Sequence, residues 1–122
     1  RYTMTQTLTV RTGNVDLVNA LMPDIGNLVS QGVSFTSYGN GVSYVFTGLN
    51  AIKPAMLKQA TKNARQAADE FAANSQSKVG KIKSANQGVF SILGREDVPD
   101  QSESTQINKR VRVVSTVEYY LD

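Results

Sequence analysis

Both ends of this chain alternate in hydropathy. Tyr2, Met4, Leu8 and Val10 fall on one side, interrupted by Gln6, while Thr3, Thr5, Thr7 and Thr9 fall on the other. At the far end Val111, Val113, Val117, Tyr119 and Leu121 share one side; Arg110, Arg112, Val114, Thr116, Glu118 and Tyr120 share the opposite one. Period two with Thr, Val and Tyr enrichment predicts half-buried β-strands over 1–12 and 107–121. At the usual rise per residue the first would run about 40 Å, well above the common strand length. Strands of that length need equally long partners, because an open backbone edge is a template for pairing. The two ends pair with each other as a curled ribbon, or upstream sequence or another subunit covers them.

Between these ends the pattern changes twice to helical spacing. Val18, Leu21, Met22, Ile25, Leu28 and Val29 recur every three or four residues after Asn14, a candidate N-cap, and before Gly32, a candidate C-terminal stop. Pro23 and Gly26 lie inside this helix and predict a kink or a short break. A second helix is expected over about 52–74, its buried stripe made of Leu57, Ala60, Ala64, Ala67, Ala68, Phe71 and Ala72, with Pro54 in the first turn. Residues 33–38 and 42–47 read as strands around Gly39-Asn40-Gly41, a primed-turn hairpin signal. Val79–Ala85 and Val89–Leu93 also read as strands, and 94–106 as a polar, acidic surface excursion. The order β-α-β-β-α-β-β-β predicts an α+β fold, a mostly antiparallel sheet with two helices on one face and long terminal strands.

Composition narrows the chemistry. The 122 residues contain no Cys and no His, which removes disulfides, thiolate nucleophiles, histidine ligands and histidine-dependent triads. A hydrophobic fraction of 40% with 19% charged residues fits a globular domain, and one domain over 1–122 is the natural reading. No apolar run approaches the roughly 20 residues of a membrane span. The net charge of +3 is too small an excess to make a nucleic-acid field, so no nucleic-acid partner is expected. The chain begins at Arg1 within a strand-like pattern, so an upstream segment is expected to be missing.

Several groups of residues carry chemistry that their spacing does not complete. Ser75-Gln76-Ser77-Lys78 has the Ser-x-x-Lys spacing of acyl-enzymes, but without companion elements it reads as an ordinary helix end. Lys58, Lys62 and Arg65 form a basic ridge on the second helix that could track an anion, but with no aromatic residue interleaved it reads rather as a solvated face supported by Arg65 and Asp69. Tyr38, Gly39, Gly41, Tyr44 and Phe46 invite comparison with an RNA-recognition motif, but their spacing is wrong for base stacking. Glu96, Asp97, Asp100 and Glu103 do not follow calcium-loop spacing. No catalytic residue, cofactor or metal ligand is assigned. The residues expected to mediate self-association are Tyr2, Met4, Val113, Val117, Tyr119 and Tyr120.

The segment Gln31-Gly32-Val33-Ser34-Phe35, the alanine-rich helix from Leu57 to Ala68 with its Ala64-Arg65 pair, and the closing strand Val111–Leu121 together resemble the SIMPL-domain family. The likeness extends over nearly the whole chain and corresponds to the C-terminal part of the family pattern. Pro23 and the acidic 94–106 stretch depart from it. The resemblance implies an exported bacterial periplasmic or envelope protein that self-associates, is linked to stress defence and is not an enzyme. It supplies no site residues. The expected function is therefore homo-oligomeric self-assembly, the alternative being a small ligand- or nucleic-acid-binding module using an open sheet face and the Lys58, Lys62 and Arg65 ridge.

Overall fold

The computed structural model describes residues 1–35 and 41–122. They divide into two compact units, Arg1–Tyr44 and Val45–Asp122. The composition is α+β with antiparallel strands, as predicted, and the elements follow in the order α1 (Val15–Ser30), α2 (Leu49–Asn74), β1 (Val79–Gln87), β2 (Ser91–Gly94), a 3-10 turn (Glu103–Thr105), β3 (Lys109–Arg112) and β4 (Ser115–Leu121).

In the first unit α1 is built at both ends as its sequence predicts. The Asn14 Oδ1 accepts from the Leu17 N–H at 3.1 Å, and Asp16 sits in the first turn. At the other end Gly32 takes φ +90. The Val33 N–H then reaches the Leu28 carbonyl and the Gly32 N–H reaches that of Val29, which is the Schellman closure that a glycine permits. The helix is continuous through Pro23 and Gly26, so of the expected kink or short break the break does not occur. Proline lacks the N–H that would bond the Asn19 carbonyl. On the same residue, the Asn19 side-chain Oδ1 accepts from the Tyr44 hydroxyl at 2.6 Å.

Residues 1–12 form no strand, and neither do 42–47. The predicted strand over 33–38 is not formed at 33–35, and the rest of it lies outside the described residues, as does most of the Gly39-Asn40-Gly41 turn. Alternation survives without a ladder: Val42, Tyr44 and Phe46 are half-buried, while Ser43, Val45 and Thr47 are exposed. The reason is physical. Period two encodes which side chains share a face, whereas a strand exists only where another backbone completes its hydrogen bonds.

For the C-terminal strand that backbone is 79–94 in the second unit. β1 pairs antiparallel with β4, and β2 with β3. The two pairs form one long hairpin interrupted at 88–90 and 113–114, where the Gly88 N–H donates to the Val114 carbonyl at 2.7 Å. A Cβ at Gly88 would lie 2.6 Å from that oxygen, so only glycine allows the approach. The register changes twice within β1, on either side of Ile82. Each shift places an extra residue on β1, the signature of bulges that coil a ribbon. The alternation over 111–119 holds across the interruption: odd-numbered residues are half-buried and even-numbered ones exposed.

α2 packs on the β1–β4 face through a ridge at every fourth residue: Ile52, Met56, Ala60, Ala64, Ala68 and Ala72. Alanines let the helix backbone approach the ribbon. Leu57 is half-buried beside this ridge, and two predicted members of the buried stripe are not buried: Ala67 is exposed, and Phe71 is 77% exposed. The ridge follows i+4 spacing, and both residues lie beside that line. The helix also begins earlier than predicted, at Leu49, which moves Pro54 beyond the first turn and leaves the Asn50 carbonyl without its intrahelical donor.

The C-terminus of α2 repeats the Schellman closure of α1 without a glycine. The Ser77 N–H bonds the Ala72 carbonyl at 2.9 Å and the Gln76 N–H that of Ala73, with Gln76 at φ 59. A left-handed non-glycine residue costs about 1–2 kcal/mol. Gln76→Gly should therefore stabilise the protein by about 1 kcal/mol in urea denaturation, after allowance for the looser unfolded chain.

Candidate functional site

α2 and the ribbon are joined at Arg65. Its Nη1 donates to the Gly80 carbonyl at 3.1 Å and its Nη2 to the Val79 carbonyl at 3.0 Å, at the irregular start of β1. Its Nε lies 3.2 Å from an Asp69 carboxylate oxygen one turn further on. The guanidinium carbon stands over the Tyr119 ring, 5.3 Å from its centroid. A planar fork with several donors suits this combination of carbonyls, carboxylate and ring, which a lysine could not serve at once. A second cation–aromatic contact, Lys53 over Phe90 at 5.4 Å, lies about 18 Å further toward the helix N-terminus.

This arrangement reassigns the predicted basic ridge. Arg65 is committed to the ribbon, so the three-residue anion site is reduced to Lys58 and Lys62. Both are exposed, and neither enters a salt bridge among the described residues. With Thr61, Arg65, Gln66, Asp69, Glu70 and Ala73 they form one open side of α2.

The predicted self-association residues separate into two groups. Tyr2 and Met4 are fully exposed in the first unit, and Tyr120 is 55% exposed on β4. Val113, Val117 and Tyr119 are half-buried, and Tyr119 already carries Arg65 on its ring. The outer face of the ribbon is polar, with Lys83 and Glu118 3.8 Å apart. The inner face is apolar and incompletely covered by α2, for Ile82 remains 52% and Leu121 64% exposed.

Ser75 and Lys78 have separate duties. The Ser75 hydroxyl lies 3.1 Å from both the Phe71 and Ala72 carbonyls, where it caps the end of α2. The Lys78 backbone exchanges two hydrogen bonds with Asp122 and extends the ladder by one pair. No nucleophile–base contact links the two side chains in the described hydrogen bonds.

The acidic excursion is more organised than its sequence suggests. The Gln106 amide brackets the backbone of Glu96, donating to its carbonyl at 3.0 Å and accepting from its N–H at 3.2 Å. A Cβ at Gly94 would overlap this amide. Lys109, with only 6% of its side chain exposed, places Nζ 2.8 Å from the Glu103 carboxylate and also donates to the Glu103 carbonyl. Sequence reasoning missed both Gln106 and Lys109. The available signal was a lysine falling on the inward, odd-numbered side of a strand, where a charge requires a partner. Among the described residues no three metal-ligating side chains gather, and no helix is long and apolar enough to cross a membrane.

A family model named SIMPL, described as a protein of unknown function (DUF541), matches residues 1–119 and so spans both compact units. The chain belongs to the SIMPL family. No curated protein and no solved structure gives a significant match.

Two substitutions test the contacts described above. Arg65→Ala should lower stability by about 2–3 kcal/mol, since it strips charge-assisted bonds from two carbonyls. Arg65→Lys should recover less than half of that loss in the same denaturation series. Glu103→Ala should cost about 2 kcal/mol by leaving a nearly buried ammonium with only a carbonyl, whereas Glu103→Ala combined with Lys109→Met should be milder than Glu103→Ala alone.

Proposed function

We propose that this SIMPL-family chain acts without catalysis, as an exported bacterial envelope protein whose role is exercised through homo-oligomeric self-assembly. Stress defence at the envelope is the setting that the family resemblance suggests. The observation that carries the reading is the distribution of apolar surface. Ala72 is the one buried apolar residue among those described, while Tyr2, Met4, Leu8, Phe71, Val89 and Leu121 are each more than 60% exposed. Burying apolar surface is worth about 25 cal/mol per Å², so side chains of this kind drive association when a single chain leaves them in water.

Backbone supports the same reading. Each described sheet has two strands, so every strand keeps one unpaired edge. Strand pairing supplies the register and apolar contact the affinity, the usual division of labour in β-augmentation.

Sedimentation across a concentration series provides the test. The chain should sediment as species larger than one 13.3 kDa protomer, shifting toward monomer on dilution. A monomer at every concentration would remove the proposal. For the location, the natural protein should fractionate with the periplasm or the medium, and recovery with cytosolic markers would contradict export.

A further inference from the structure

The open side of α2 has a charge order that a solitary helix does not favour. Reading along its i+4 ridge gives Lys58, Lys62, Gln66 and Glu70. Cations thus lie toward the helix N-terminus and the anion toward the C-terminus. The first turn has no acidic residue and the last turn no basic one. A helix stabilising itself arranges its charges the other way, with carboxylates early and cations late. The Arg65–Asp69 pair has the same inverted order, Arg preceding Asp by one turn.

An antiparallel copy of the same helix resolves this inversion. Lys62 lies four residues before Gln66 and Glu70 four residues after it. A twofold axis at Gln66 places each Lys62 against the Glu70 of the other copy, about 6 Å along the helix on either side of the axis. At the axis the two Gln66 amides meet, each with a donor and an acceptor, so they can satisfy one another. An apolar helix such as α1 of a second copy, with Leu21, Met22, Leu28 and Val29 exposed, would leave these charges unpaired, which disfavours it as the occupant.

We propose that this face of α2 is an isologous contact, occupied by α2 of a second copy packed antiparallel about Gln66. The inference rests on the self-assembly reading and specifies one of its surfaces. The contact is polar and small, so it sets orientation and symmetry within an assembly whose affinity comes from apolar surface elsewhere.

Because the chain has no cysteine, Gln66→Cys introduces a single thiol. Under mild oxidation it should form a disulfide-linked dimer at least about tenfold faster than Ala67→Cys, an exposed control on another side of the helix. Lys62→Glu and Glu70→Lys should each weaken association about tenfold, since each turns two attractive pairs repulsive, and the double exchange should restore it to within about threefold. Equal crosslinking of Gln66→Cys and Ala67→Cys in a protein that still sediments as an oligomer would overturn the α2 contact and leave self-assembly standing. A protein that is monomeric throughout would overturn both.

Discussion

The second unit depends on one guanidinium. α2 carries mostly alanine on its packing ridge, and alanine gives close approach but little apolar area. Arg65 compensates by binding two β1 carbonyls, standing over Tyr119 and holding Asp69. It acts where the bulged start of β1 departs from a regular ladder. The position of the helix on the ribbon and the half-burial of Tyr119 follow from the same set of contacts.

The ribbon itself is a compromise between pairing and shape. Its register slips toward the β1 strand, and Gly88 alone allows the backbone approach at the interruption. These irregularities let a long hairpin coil under α2 while keeping odd-numbered side chains of 111–119 on one face. The far end is pinned differently, by a nearly buried lysine and a glutamine that imitates a strand partner. What remains is apolar surface on the inner face and unpaired strand edges, and the proposal of self-assembly takes these as its starting point.

Legibility followed the range of each interaction. The Asn14 cap, the Gly32 closure and the alternation over 111–119 are local, and local spacing reveals them. Strand pairing is not local. The threonine-rich alternation of 1–12 looks as strand-like as the closing strand, yet only the latter has a ladder, because 79–94 lies opposite it. Phe71 was misplaced for a related reason: the stripe assigned to α2 was broader than the i+4 ridge that meets the ribbon. Arg65 was visible as a cation, but its carbonyl partners fourteen and fifteen residues away were not. The candidate surface was legible in part, with Tyr2, Met4 and Tyr120 exposed, and Val113, Val117 and Tyr119 turned toward the half-buried side.

On the self-assembly proposal, the exposed alternating segment and the open strand edges are completed by other copies of this chain. Amide hydrogen exchange at two widely separated protein concentrations tests it most directly. Amides in 1–12 and along β4 should exchange more slowly as concentration rises, together with those around Gln66. Exchange at these sites that is identical at both concentrations would contradict it.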